Sequence, residues 1–152
     1  MGMGKLGPDG RDVPSTRPLL DKLGVKPGLK VSVLGLDDPS FRRQLEDRSV
    51  DVSSRPRKES DLLFVYLDER RQLSRLKELQ PSLRPAGALW VLWPKGRKEF
   101  REDDVRNFGP QAELVDVKVM AFSDTLSGLK MVVPLALRAP AQARAGVRRT
   151  PN

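Results

Sequence analysis

The chain has no cysteine and no histidine. Those two absences exclude disulfides, thiolate nucleophiles, Cys/His zinc sites and any Ser-His-Asp triad. Whatever chemistry it performs falls to carboxylates, lysines, hydroxyls, the single Tyr66 or a bound cofactor. A disulfide-free chain suits a reducing compartment. No apolar run approaches the length of a membrane helix, and Met1-Gly-Met-Gly-Lys-Leu-Gly-Pro8 lacks the apolar core of a secretory signal. The expected location is cytoplasmic, without a membrane partner. No P-loop pattern occurs, and the G-x-G-x-x-G spacing of Gly2-Met-Gly-Lys-Leu-Gly7 precedes every predicted strand, so it lacks the strand-to-helix setting of a nucleotide loop.

What is present is one domain's worth of sequence: 152 residues with a formal net charge of +8. Four of the arginines, Arg138, Arg144, Arg148 and Arg149, lie in an Ala/Pro-rich terminal stretch that has no acidic residue and no apolar period. The organisation expected is a flexible segment over 1–16, a single α/β domain over 17–137 and a basic disordered tail over 138–152. Four arginines make a small electrostatic footprint, and no aromatic residue is interleaved among them to stack on bases. Nucleic acid is not an expected partner; an unidentified protein or small ligand is.

Periodicity and punctuation place the elements. Pro18 to Leu23 reads as a short helix with Gly24 as its stop, and Pro27-Gly28 as the turn into a first strand, Lys30 to Leu34. Asp38 followed by Pro39 reads as an N-cap and first helical residue, with Phe41 and Leu45 on one apolar edge. Residues 49–53 alternate like a short strand, and whether they form one decides between a sheet of five strands and one of six. Leu62-Leu-Phe-Val-Tyr-Leu67 and Ala88-Leu-Trp-Val-Leu-Trp93 are apolar on both faces, as central strands of a parallel sheet are. A helix is expected from about Glu69 to Gln80, ended by Pro81, with Pro85-Ala-Gly87 as a turn. A second helix is expected from Glu102 to Phe108. Leu114 to Phe122 and Gly128 to Pro134 alternate like a terminal hairpin.

The fold class that follows is α/β: three layers, a mostly parallel sheet of five or six strands, and an antiparallel hairpin at the C-terminus. That order resembles the later two-thirds of the Rossmann-like methyltransferase fold, which binds S-adenosylmethionine. Leu83-Arg-Pro-Ala-Gly-Ala-Leu-Trp-Val91 is similar to the turn and strand seen in many such enzymes. A more specific resemblance comes from Leu19 to Gly28, Val33-Leu-Gly35, Ala88 to Lys95, Leu114 to Val119 and Ser127-Gly-Leu-Lys130 occurring in this order. Over about residues 17–134 these blocks resemble the uncharacterised family called domain of unknown function 3052, a resemblance that implies the fold and no particular activity.

Ligands of open α/β sheets settle outside the carboxyl ends of the strands. Here those ends carry Gly35-Leu-Asp-Asp38, Asp68-Glu69 and Trp93-Pro-Lys-Gly96. With Asp38 occupying the helix N-terminus and Asp37 adding like charge, a pyrophosphate is repelled, which excludes NAD, FAD and NTP there. S-adenosylmethionine, carrying a positive sulfonium, is the cofactor that stays possible, although no cofactor is the first expectation. Its candidate contacts are Gly35, Asp37 and Asp68, with Asp51 the nearest acid for ribose hydroxyls. Trp93 and Lys95 are the candidate ligand or partner site, and Trp90, facing the other side, is core. Lys118 and Lys130 are expected to pair across the hairpin with Asp116, and Tyr66 to be buried with its hydroxyl bonded. No catalytic residue and no metal ligand is assigned. The function expected is a non-catalytic binding or interaction module. A minimal S-adenosylmethionine-dependent methyltransferase or cofactor-dependent regulator is the alternative, and nucleic-acid association through the tail is a weaker one.

Overall fold

Two strands that are apolar on both faces organise everything else in the computed structural model, which describes residues 18–138. They are β3 (Ser60–Tyr66) and β4 (Leu83–Pro94). Leu63, Phe64 and Val65 of the first and Leu89, Trp90, Val91 and Leu92 of the second are all 0 % exposed. Strands buried on both faces need a layer of cover on each side. The expectations for 1–16 and for the tail beyond Arg138 lie outside the described residues.

The other strands are β1 (Lys30–Leu34), β2 (Asp51–Ser53), β5 (Val115–Ala121) and β6 (Leu126–Val132). They complete a six-stranded sheet in the order β2-β1-β3-β4-β6-β5. β2, β1, β3 and β4 run parallel, and β6 runs antiparallel to both of its neighbours. One face is covered by α1 (Leu19–Leu23) and α2 (Pro39–Asp47). Their Leu20, Leu23, Phe41 and Leu45 pack with Val31, Phe64, Trp90 and Leu92. The opposite face is covered by α3 (Arg75–Leu79) and α4 (Glu102–Phe108), whose Leu76, Leu79 and Val105 join Leu63, Val65, Val91 and Trp93.

Local chemistry explains where these elements begin and end. Gly24 takes the left-handed conformation (φ 82°) that closes α1. The Trp90 indole donates 3.2 Å to the Leu23 carbonyl, tying that helix to the sheet. Phe41 makes edge-on ring contacts with Phe64 (5.3 Å) and Phe122 (5.0 Å), so α2 is clamped at two points. α4 starts where the Arg101 amide donates to Asp104 (2.8 Å), with Glu102, Asp103 and Asp104 in its first turn favourable to the helix dipole.

Several elements differ from the sequence reading. Residues 51–53 are a strand, so the sheet has six. The segment 69–80 is not one α-helix: a 3₁₀ turn over Arg70–Ser74 leads into α3, and a second 3₁₀ turn over Gln80–Ser82 contains Pro81. Leu73 of the first 3₁₀ turn and Leu76 and Leu79 of α3 are all buried, so one apolar stripe runs across the change of helix type. Pro85-Ala-Gly87 is no turn but part of β4, where the register shifts from Ser60–Leu83 to Leu62–Ala88. Lys118 lies directly opposite Lys130, not opposite an acid, because the register of β5 slips between Asp116 and Lys118. Asp116 instead accepts from Arg106 of α4 (3.0 Å), and Lys118 donates to the Lys22 carbonyl (3.3 Å) at the end of α1.

The amino ends of three strands are joined by one carboxylate. Asp61 accepts from the Lys30 amide (2.8 Å) and from the Arg84 guanidinium (2.8 Å). Burial by itself pushes the Asp61 carboxyl up, but the Lys30 amide and Arg84 outweigh it and hold it below its ordinary value of 3.8. Its contribution to stability is full above that ordinary value and is lost as pH falls through the lowered one. Asp61→Asn is therefore expected to lower the urea midpoint at pH 7, with the gap to wild type closing below about pH 4. A gap that stays constant on acidification would show that the carboxylate does not matter. Gly87 is required by the irregularity in β4: a Cβ there would lie 2.8 Å from the Ser60 carbonyl oxygen and 3.0 Å from that of Asp61. Gly87→Ala is expected to cost about 1–3 kcal/mol, measurable as a lower melting temperature, because backbone rather than a flexible side chain must yield.

Candidate functional site

The chain leaves β1 for β2 on one side and returns to β3 on the other, so the strand order reverses between β1 and β3. Such a switch point opens a crevice at the carboxyl ends of the two strands. Gly35 stands there, immediately after β1, at φ 74°. A Cβ on Gly35 would lie 3.4 Å from the Tyr66 carbonyl oxygen and 3.8 Å from the Tyr66 Cβ. Bare backbone therefore faces the end of β3, with Asp68 two residues beyond Tyr66.

On the β1 side the crevice has a closed floor. Asp38 Oδ1 accepts from the Phe41 amide at 3.0 Å, and Pro39, the first helical residue, has no amide proton to offer. The helix start is thereby closed to a phosphate by its own side chain. A small pocket of about 220 Å³ remains beside it, lined by Val33, Leu36, Asp37, Asp38, Pro39, Phe41, Arg42 and Ser54. Arg42 donates 3.0 Å to the Ser54 hydroxyl across the rim of this pocket.

On the β3 side lies a larger open cleft of about 770 Å³, lined by Asp68, Glu69, Arg70, Arg71, Arg97 and Glu99. Gln72 shapes its wall by accepting from the amides of Asp68 (2.8 Å) and Glu69 (3.0 Å). The Arg71 guanidinium, 2.5 Å from Glu69, holds the Glu69 carboxyl below its ordinary value of 4.5.

Gly35, Asp37 and Asp68 thus all stand at or beside the switch point, in the strand-end loops. Asp51 does not: it opens β2 opposite Lys30, at the amino end, and pairs with Arg57 at 3.0 Å. The carboxyl end of β2 carries Ser53 and Ser54, so no acid follows that strand. Trp93 is 4 % exposed, with its ring edge-on to Phe100 at 6.5 Å in the α3/α4 layer. Its surroundings are those of a core side chain, whereas Lys95 is exposed and its amide donates 2.9 Å to the Thr125 carbonyl. Tyr66 is half-buried rather than buried. The arginines of the cleft escaped sequence reading, since Arg70 and Arg71 sit 26 or more positions from Arg97 and only the fold places them on facing walls.

Solved structures share this architecture. A S-adenosylmethionine-dependent methyltransferase from Aquifex aeolicus matches at 16% identity and a TM-score of 0.59, over 76% of this chain and 88% of that one. Magnesium protoporphyrin IX methyltransferase from Synechocystis, solved with S-adenosylhomocysteine bound, matches at 11% identity and a TM-score of 0.55, over 76% and 78%. A TehB-like S-adenosylmethionine-dependent methyltransferase from Corynebacterium glutamicum matches at 12% identity and a TM-score of 0.51, over 76% and 85%. The fold is that of the S-adenosylmethionine-dependent methyltransferases. No protein-family model matches, so the resemblance to domain of unknown function 3052 rests on the sequence blocks alone; no curated protein matches either. The expectation that no cofactor binds finds no support in these neighbours. Among the described residues, no helix is long and apolar enough to cross a membrane, and no cluster of acidic side chains could hold a metal ion.

The closed helix start has a measurable consequence. Asp38→Ala is expected to cost about 1 kcal/mol, read as a lower urea midpoint, because it strips the cap from α2. An unchanged midpoint would show that the Phe41 amide finds water just as well.

Proposed function

We propose that this chain binds S-adenosylmethionine at the β1/β3 switch point and acts as a small methyltransferase. The observation that carries the reading is the pairing of bare Gly35 against Tyr66 with a helix start closed to phosphate. A ligand fitting there needs close approach to backbone and no pyrophosphate. S-adenosylmethionine meets both requirements, and its sulfonium is compatible with the carboxylates of Asp37 and Asp68.

Gly35 would give the cofactor room, and Asp37 and Asp68 would supply acceptors for its hydroxyl and ammonium groups. When bound, the cofactor supplies an electrophilic methyl group, so the chain's own task is to hold donor and acceptor in line rather than to furnish a nucleophile. That division of labour accommodates a chain without Cys or His. The closed Leu36–Asp38 stretch favours a second reading, in which the cofactor is held as a signal without transfer.

Calorimetric titration with S-adenosylmethionine and S-adenosylhomocysteine tests the binding. Saturable heat is expected for both, with Asp37→Asn and Asp68→Asn each weakening the complex by about tenfold or more, the worth of one hydrogen bond to a charged group. No heat at millimolar ligand would overturn the proposal. Binding with no methyl transfer to any acceptor would leave the second reading in its place.

A further inference from the structure

Three arginines line the cleft beyond Asp68, and they are not equally engaged. Arg71 is committed to Glu69 at 2.5 Å. Arg70 and Arg97 rise from opposite walls and each reaches across to a backbone carbonyl on the other. Arg70 donates to Glu99 O at 3.5 Å, and Arg97 donates to Asp68 O at 3.4 Å. Both contacts are long for hydrogen bonds, as is the 3.5 Å approach of Arg70 to Asp104. A guanidinium carries five N–H donors in a rigid fork, so both groups keep donors to spare and give up little by turning to a new acceptor.

The geometry points to a small ligand bearing one oxyanion group, a carboxylate or a phosphate monoester, held between Arg70 and Arg97. Charge-assisted pairs of guanidinium and oxyanion close to about 2.7–2.9 Å and are roughly twice as strong as neutral bonds, so the exchange favours the anion. The volume of about 770 Å³ falls in the range of small-molecule sites. The remaining lining argues against a polyanion: Asp68, Glu69 and Glu99 stand on the same walls and would repel a chain of phosphates. Lys95 and Lys98, exposed on the loop that carries Arg97, bring the local balance to five cations against four carboxylates, Asp104 beside Arg70 included. That is enough to draw in one anionic group and too little to hold a nucleic-acid backbone. Asp68 belongs both to this cleft and to the switch point. Resting on the cofactor reading above, the oxyanion ligand is the methyl acceptor, entering from the β3/β4 side.

Amide chemical shifts on titration with inorganic phosphate and with succinate test this, with chloride at matched ionic strength as the control. Saturating shifts are expected at residues 68–71 and 96–99 for one or both anions, and none for chloride. The arm that saturates tells phosphate from carboxylate. The Arg70→Gln/Arg97→Gln double variant is expected to weaken that binding at least about tenfold, as loss of two charge-assisted contacts implies. Its melting temperature and its affinity for S-adenosylmethionine should stay those of wild type. Absence of anion-specific shifts, or their survival in the double variant, would overturn the site. A fall in S-adenosylmethionine affinity in the double variant would overturn it too, by assigning the arginines to the cofactor's own carboxylate. Anion binding by a wild-type chain that gives no heat with S-adenosylmethionine would support the oxyanion site and overturn its role as acceptor site.

Discussion

Burial of β3 and β4 on both faces is the constraint from which the rest of this structure follows. A side chain such as Leu63 or Trp90, fully removed from water, is stabilised by roughly 1.5–3 kcal/mol only if something covers it. The two strands point such residues alternately to both sides, so neither face can be left to solvent. α1 and α2 cover one, α3 and α4 the other, and the parallel run β2-β1-β3-β4 collects its carboxyl ends on one rim. The candidate site is a consequence of that arrangement.

At that rim electrostatics and sterics select against one class of ligand and for another. Asp38 takes the amide that an anion would use, and Pro39 removes a second. Gly35, at φ 74°, sets bare backbone against Tyr66 at the end of β1. Together they motivate the proposal of a phosphate-free, positively charged cofactor in the crevice and of an oxyanion between the arginines of the neighbouring cleft. Neighbouring regions of opposite preference are what a reaction between a cationic donor and an anionic acceptor requires.

How much of this was legible depended on how local each cause is. The Asp38-Pro39 helix start, the Gly24 stop and α4 over Glu102–Phe108 are written in adjacent residues, and the structure forms them there. The double-sided strands were legible because an unbroken apolar run has few other uses. β4 was read too short, since Pro85-Ala-Gly87 has turn chemistry that strand pairing absorbs as a register shift. Asp51 and Trp93 were misplaced for a related reason. Which end of a strand a residue marks, and how a neighbouring helix covers it, depends on partners far along the chain. Phe100, which meets Trp93 edge-on, lies on the far side of the loop that carries Lys95.

By itself the sequence determined the α/β class, the two double-sided apolar strands at the centre of the sheet, and the exclusion of thiol and imidazole chemistry. Those follow from composition, periodicity and capping, all of which act over a few residues. Only the tertiary structure decided that β2 joins the sheet, that Asp61 ties three strands together, and that Arg70 faces Arg97 across a cleft. These rest on contacts between residues more than twenty positions apart, and their geometry exists only once the sheet has brought them to the same edge.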